Sequence, residues 1–200
     1  MAACLTGAAL ADPYPAPSPR LFGYGEERKQ GFDLFPQWIS VMRRHEAERA
    51  LADPCVGGVC RVAEWQRAMA ALQGRSPREQ LIAVNSLVNR VRYALDPDNY
   101  GQNDYWATPR EFLYRAGDCE DFAILKYYAL RQLGFSADAL RIVVLQDTNL
   151  RIPHAVLAVY TRDDILILDN QISEIVSHRA IAHYVPVYSV NERNWWMHLP

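Results

Sequence analysis

The sequence predicts a mixed α/β (α+β) domain: an N-terminal helical layer, a C-terminal antiparallel sheet, and a candidate nucleophile at a helix N-terminus. Three observations carry this. Helix-start signals recur through the first two thirds of the chain, at Pro36, Ser76-Pro77, Thr108-Pro109 and Asp118. After Gly134 the pattern changes to strand-like runs over residues 140–146, 153–160, 165–170 and 184–190. Between the two lies Gly117-Asp118-Cys119-Glu120-Asp121-Phe122, which opens the most regular helix in the sequence.

Taken in order, 200 residues of which half are apolar suffice for one globular domain with a substantial core. A net charge of −2, with lysine and arginine scattered, gives no nucleic-acid footprint. Residues 1–11 are small and apolar, and Ala9-Leu10-Ala11 before Asp12 resembles a signal-peptidase site without its basic leader. With four prolines in residues 12–20, an extended tail follows. The expected organisation is therefore export-signal remnant and tail over 1–34 and a single domain over 35–200. No run approaches the roughly 20 apolar residues needed to span a bilayer, so no membrane insertion is expected.

Pro36 leads a helix to about residue 51 that carries Trp38, Ile39 and Met42. Cys55 and Cys60 flank a Gly57-Gly58 turn. They close a small disulfide loop if the protein is exported, and are structural thiols otherwise; no second Cys/His pair with ligand spacing supports a metal site. A helix over 61–73 ends at Gly74. Ser76-Pro77-Arg78-Glu79 is a capping box with proline at the first position, starting a helix over 77–93 whose buried stripe is Leu81, Val84, Val88 and Val91. Residues 96–104 form an acidic loop, and Thr108-Pro109 starts a short helix ending near Gly117. In this stretch Tyr105 or Trp106 either lines a cleft, or donates to an oxyanion, or belongs to the core.

The next helix spans about 118–133, with Asp118 as N-cap, Asp121 in a capping-box position and Gly134 as the stop. Cys119 then sits in the first turn, where unpaired N–H groups and the positive dipole end favour a thiolate. At about 100° per residue it shares a face with Phe122, Ala123, Leu130 and Leu133. The competing reading is a small buried hydrophobe. Lys126 falls on the same face, with snorkelling or pairing to a carboxylate as its only accounts.

Runs 153–160 and 165–170 are joined by Thr161-Arg162-Asp163-Asp164, short enough for a hairpin. Pairing Tyr160 with Asp163 sets His154 directly opposite Asp169; pairing it with Ile165 makes them diagonal neighbours. In both registers they share a face, because side chains alternate with period two. Histidine beside a carboxylate, near a helix-borne cysteine, is the nucleophile, base and orienting group of acyl transfer. Singly, each has a plain structural explanation. Trp195 and Trp196 are expected to pack on the sheet, and no chemistry is assigned to His45, His178, His183 or His198.

Asp104-Tyr105-Trp106-Ala107-Thr108-Pro109, the run from Gly117 to Tyr127, His154-Ala155-Val156-Leu157-Ala158 and Leu168-Asp169-Asn170 together resemble the bacterial transglutaminase-like cysteine proteinases, the LapG type. The likeness covers about residues 35–196. It implies a papain-like fold with Cys119 as nucleophile, His154 as base and Asp169 as the orienting residue. It further implies a periplasmic endopeptidase, a substrate in the N-terminal region of a large surface adhesin, and an inner-membrane receptor that sequesters the enzyme. One departure is Ala155, where methionine is expected after the histidine. The same three residues would also serve transglutaminase-like acyl transfer, and a calcium-responsive binding module is a third reading.

Asp118, Glu120 and Asp121 adjoin a group that must become negative. At about 7 Å and an effective dielectric near 20, each disfavours a thiolate by roughly 2 kcal/mol. A hard divalent cation on those oxygens would remove the penalty; the alternative is caps and solvated charges. LapG-type proteins are calcium-dependent, so the resemblance implies Ca2+ held by Asp118, Glu120 and Asp121, with Asp98 and Asp104 completing the shell.

Overall fold

The computed structural model describes residues 20–200. The proposed signal remnant, residues 1–11, lies outside them. The helices are α1 (Pro36–Glu48), α2 (Arg61–Leu72), α3 (Pro77–Val88), α4 (Asp96–Asn99), α5 (Pro109–Arg115) and α6 (Cys119–Gln132). The strands are β1 (Gly25–Lys29), β2 (Leu140–Asp147), β3 (Ile152–Tyr160), β4 (Ile165–Leu168), β5 (Val176–Ser177), β6 (Tyr184–Val190) and β7 (Trp195–Leu199). They form one antiparallel sheet in the order β1-β7-β6-β2-β3-β4-β5.

Local sequence accounts for the helix ends that matter most. Ser76 and Glu79 bond reciprocally at the start of α3, and Thr108 and Glu111 do the same for α5. After α6, Gly134 takes a positive φ of 98° while the N–H of Phe135 donates to the Leu130 carbonyl, closing the helix. Two helices end before their expected limits, α1 at Glu48 and α3 at Val88. Asn89 leaves α3 because its side-chain amide donates to the Asp169 carbonyl at 2.7 Å, and Ala94 then bonds the Gly117 carbonyl at 2.8 Å. The segment after α3 is thereby laid against the start of α6.

α6 is buried almost all round, from Glu120 to Tyr127 and again at Ala129 and Leu130, rather than along one stripe. One core joins it to Trp38, Val84, Val88, Phe112, Leu157 and Leu168. A second core covers the opposite face of the sheet with Val143, Leu145, Val156, Ala158, Ile165, Ile167 and Tyr184. Burial of so many large apolar side chains is the main favourable term, each worth about 1.5–3 kcal/mol.

β1 lies in the segment read from sequence as tail. Its sequence, Gly-Glu-Glu-Arg-Lys, has no apolar alternation because it is an edge strand pairing only with β7. Glu26 nevertheless points inward: its carboxylate meets Arg141 at 2.6 Å and accepts from the Tyr160 hydroxyl. The Arg141 guanidinium stacks 3.7 Å from the Trp196 ring centroid. Trp195 and Trp196 are thus strand residues of β7, both buried.

Candidate active site

Tyr160 pairs with Ile165, so the hairpin adopts the diagonal register for His154 and Asp169. Pairing of β3 with β4 stops at Leu157 and Leu168, which places both residues just past the end of the ladder. His154 Nε2 lies 2.9 Å from Asp169 Oδ1, with both side chains buried. A carboxylate accepts, so Nε2 carries the proton and Nδ1 is the basic nitrogen. Nδ1 faces the side-chain amide of Gln171 at 3.4 Å.

Asp169 is held by more than histidine. Oδ1 also accepts from the Gln171 backbone N–H at 2.9 Å, and Oδ2 accepts from the Tyr184 hydroxyl at 2.7 Å. Burial works to raise its pKa, but these bonds and the His154 charge outweigh it and hold the carboxyl below its usual range. Lys126 is fully buried, and its Nζ has no hydrogen-bond partner among the described residues. Burial lowers its pKa to about 7, with the charge of Asp169 acting the other way.

Cys119 is the first residue of α6, partly buried, and the free cysteine among the described residues. Cys55 and Cys60 are bridged. The Cys119 thiol donates to Glu120 Oε2 at 3.4 Å, and the backbone N–H of Ala155, next to His154, favours its ionised form. Desolvation raises its pKa most, followed by the charges of Glu120 and Asp118. The protein atoms by themselves therefore hold a thiol, as the sequence arithmetic anticipated.

Asp121 is fully buried and accepts from Ala107 N–H at 2.6 Å and Asp118 N–H at 3.3 Å. Oxygens of Asp96, Asp118 and Asp121 lie within 4.8 Å of one another, as do those of Asp96, Asp104 and Glu120. Asp96 joins both groups; of the two residues expected from sequence to complete the shell, Asp104 lies in one group and Asp98 in neither, being exposed. Desolvation, then the charges of Asp118 and Asp104, raise Asp96 to about 6 against the Tyr105 N–H. Burial, then Asp118, likewise raises Glu120, and burial raises Asp121. Asp96 Oδ1 and Asp118 Oδ1 are buried without hydrogen-bond partners, so the cluster is under-satisfied and an oxygen-preferring cation fits it.

Trp106 and Tyr105 follow the structural alternative. The Trp106 indole donates to Asp104 at 3.0 Å, and the Tyr105 hydroxyl donates to Glu111 at 2.9 Å beside Arg44. Sequence reasoning missed Asp96, Gln171 and Tyr184. Asp96 stood in the acidic loop already singled out; nothing local marked the other two. A separate cavity of about 680 Å³ lined by His45, Trp65 and Tyr128 touches none of these groups.

A buried histidine-carboxylate pair on a sheet, next to a cysteine at a helix N-terminus, is the arrangement of thiol hydrolases. Comparison with known proteins narrows this. The sequence profile of the family described as bacterial transglutaminase-like cysteine proteinase BTLCP matches residues 57–200, so the protein is a cysteine peptidase of transglutaminase-like fold. The chain belongs to that family. Among solved structures it is similar to Legionella pneumophila LapG, at 34% identity over 78% of this chain and 87% of that one, with a TM-score of 0.65. A calcium-bound form of the same Legionella protein matches at 33% identity, 80% and 86% coverage and a TM-score of 0.65. Its EGTA-treated form matches at 34%, 78%, 84% and 0.65. No curated protein matches the sequence.

Proposed function

We propose that the chain is a calcium-dependent periplasmic cysteine endopeptidase in which Cys119 is the nucleophile, His154 the base and Asp169 the orienting group. The observation that carries this is the buried His154–Asp169 bond at 2.9 Å, with the free Cys119 at the first position of α6, the helix that packs on β3. His154 Nδ1 takes the Cys119 proton, and the sulfur adds to a peptide carbonyl. Collapse to a thioester expels the amine, which leaves with the proton from His154. Water, deprotonated by the same nitrogen, then releases the acid and regenerates the thiol. Asp169 keeps Nε2 protonated throughout, so that Nδ1 is always the nitrogen facing the reaction.

Asp96, Asp118, Asp121, Asp104 and Glu120 are the residues that would hold Ca2+; when bound it supplies positive charge that offsets the carboxylates around the sulfur. The likeness to calcium-bound LapG supports this choice of metal. Resemblance to LapG-type proteases supports a substrate in the N-terminal region of a large surface adhesin and an inner-membrane receptor that sequesters the enzyme. We also take the chain beyond its tail as one peptidase domain. The direct test is cleavage of such an adhesin segment by the parent and by Cys119→Ala, with and without chelator. Undiminished cleavage by the variant would refute the assignment.

A further inference from the structure

Asp169 oxygen Oδ2 does not face the histidine, and it is not left bare. We propose that Tyr184 is a positioning residue for the base, a role that rests on the triad reading above. Its hydroxyl donates to Oδ2 at 2.7 Å, while its ring packs edge-on against the His154 ring with centroids 5.7 Å apart at 63°. One side chain therefore touches both partners of the pair. The carboxylate is fully buried and both oxygens accept: Oδ1 from His154 Nε2–H and the Gln171 N–H, Oδ2 from the Tyr184 hydroxyl.

The fold supplies Tyr184 from the first position of β6, paired with Asp147 of β2, a strand distinct from those carrying His154 and Asp169. Its ring is itself braced by Phe22, edge-on at 5.6 Å. Turning the Asp169 carboxylate about its last bond would break all three bonds, so the tyrosine helps fix the plane in which the carboxylate meets the imidazole. Without the hydroxyl, Oδ2 would be a buried acceptor with no donor, and the carboxylate plane would be held through Oδ1 alone. Burial and the neighbouring Asp169 push the phenol far above its ordinary pKa, so it remains a donor at any working pH.

The test is Tyr184→Phe in the full chain, assayed on a fixed peptide, in parent and Asp169→Asn backgrounds. In the parent, kcat should fall about tenfold to a hundredfold with KM unchanged, since the tyrosine acts on the base. In the Asp169→Asn background the same change should cost little more. Full activity of Tyr184→Phe where Asp169→Asn is impaired would overturn this role and leave the triad standing. Full activity of Asp169→Asn would remove the triad reading itself. Equal losses in both backgrounds would make the tyrosine merely structural and also overturn the role. Should Tyr184→Phe fail to fold, proton NMR of the parent decides: a slowly exchanging low-field hydroxyl proton coupled through space to His154 is expected, and its absence overturns the proposal.

Discussion

Gly117 has no side chain because Asp121 occupies the place where one would be. A Cβ built at residue 117 would fall inside the carboxylate of Asp121, which is itself pinned by Ala107 and Asp118 N–H groups. The glycine two residues before the cysteine is thus a packing requirement of the carboxylate four residues beyond that glycine. Gly117→Ala should lower stability by about 1–3 kcal/mol, the usual cost of overpacking. For a chain of this size that is a fall of roughly 2–12 °C in Tm by calorimetry. An unchanged Tm would mean the carboxylate is free to move.

Cys119→Ala should abolish proteolysis while the far-ultraviolet spectrum stays as in the parent. His154→Ala should be about as damaging, and the double variant no worse than either, because the two act as a unit. Asp169→Asn should retain more activity than either. Single-turnover cleavage of a peptide ending in a chromogenic amine measures all four.

Chelation should abolish activity, and calcium should restore it better than magnesium, which demands tight octahedral geometry. Calcium at about a hundred times its Kd should add about 2.7 kcal/mol of stability, read as a rise in Tm. Asp118→Asn, Glu120→Gln and Asp96→Asn should each weaken that rise even though each removes a repelling charge. Neutral variants that stay active in chelator would reduce the cluster to helix caps.

The Cys55–Cys60 bridge closes a small loop, for which chain entropy gives about 2 kcal/mol. Replacing both cysteines with serine should cost about that in urea titrations and leave cleavage intact. Thiol counting on protein beginning near Asp12 should find one alkylatable cysteine, rising to three after reduction and unfolding.

Lys126 has a folded pKa of about 7 against about 10.4 in an unfolded chain. Between those values the unfolded state binds more protons, so this group makes stability rise with pH across that window. Below pH 7 the lysine is charged in both states and its contribution is flat at its least favourable. Lys126→Met should be at least as stable as the parent at pH 7 and should lack the rise. A rise that persists in the variant would point to another group.

Much of the site was legible because its signals are local. Caps at Ser76, Thr108 and Asp118 are encoded within four residues, and period-two alternation put His154 and Asp169 on one face before the register was known. What sequence did not reveal depends on distant partners. β1 is charged and unpatterned, and is defined by pairing with β7 at the far end of the chain. Asp96 and Asp98 are equivalent acids in sequence, and only the Tyr105 N–H, bonded at 2.5 Å, turns the first inward. Tyr184 reads as any strand aromatic until β6 is laid beside β2.

The strand that carries His154 acts on Cys119 through its main chain, where the Ala155 N–H favours the ionised sulfur. The field of a peptide N–H does not depend on which side chain the residue bears, so methionine or alanine at this position would favour the thiolate alike. Nineteen of the twenty residue types keep the donor; proline alone deletes it. As far as this N–H is concerned, position 155 can carry any side chain that its buried place accepts, and the chemistry next to it stays insulated from the exchange.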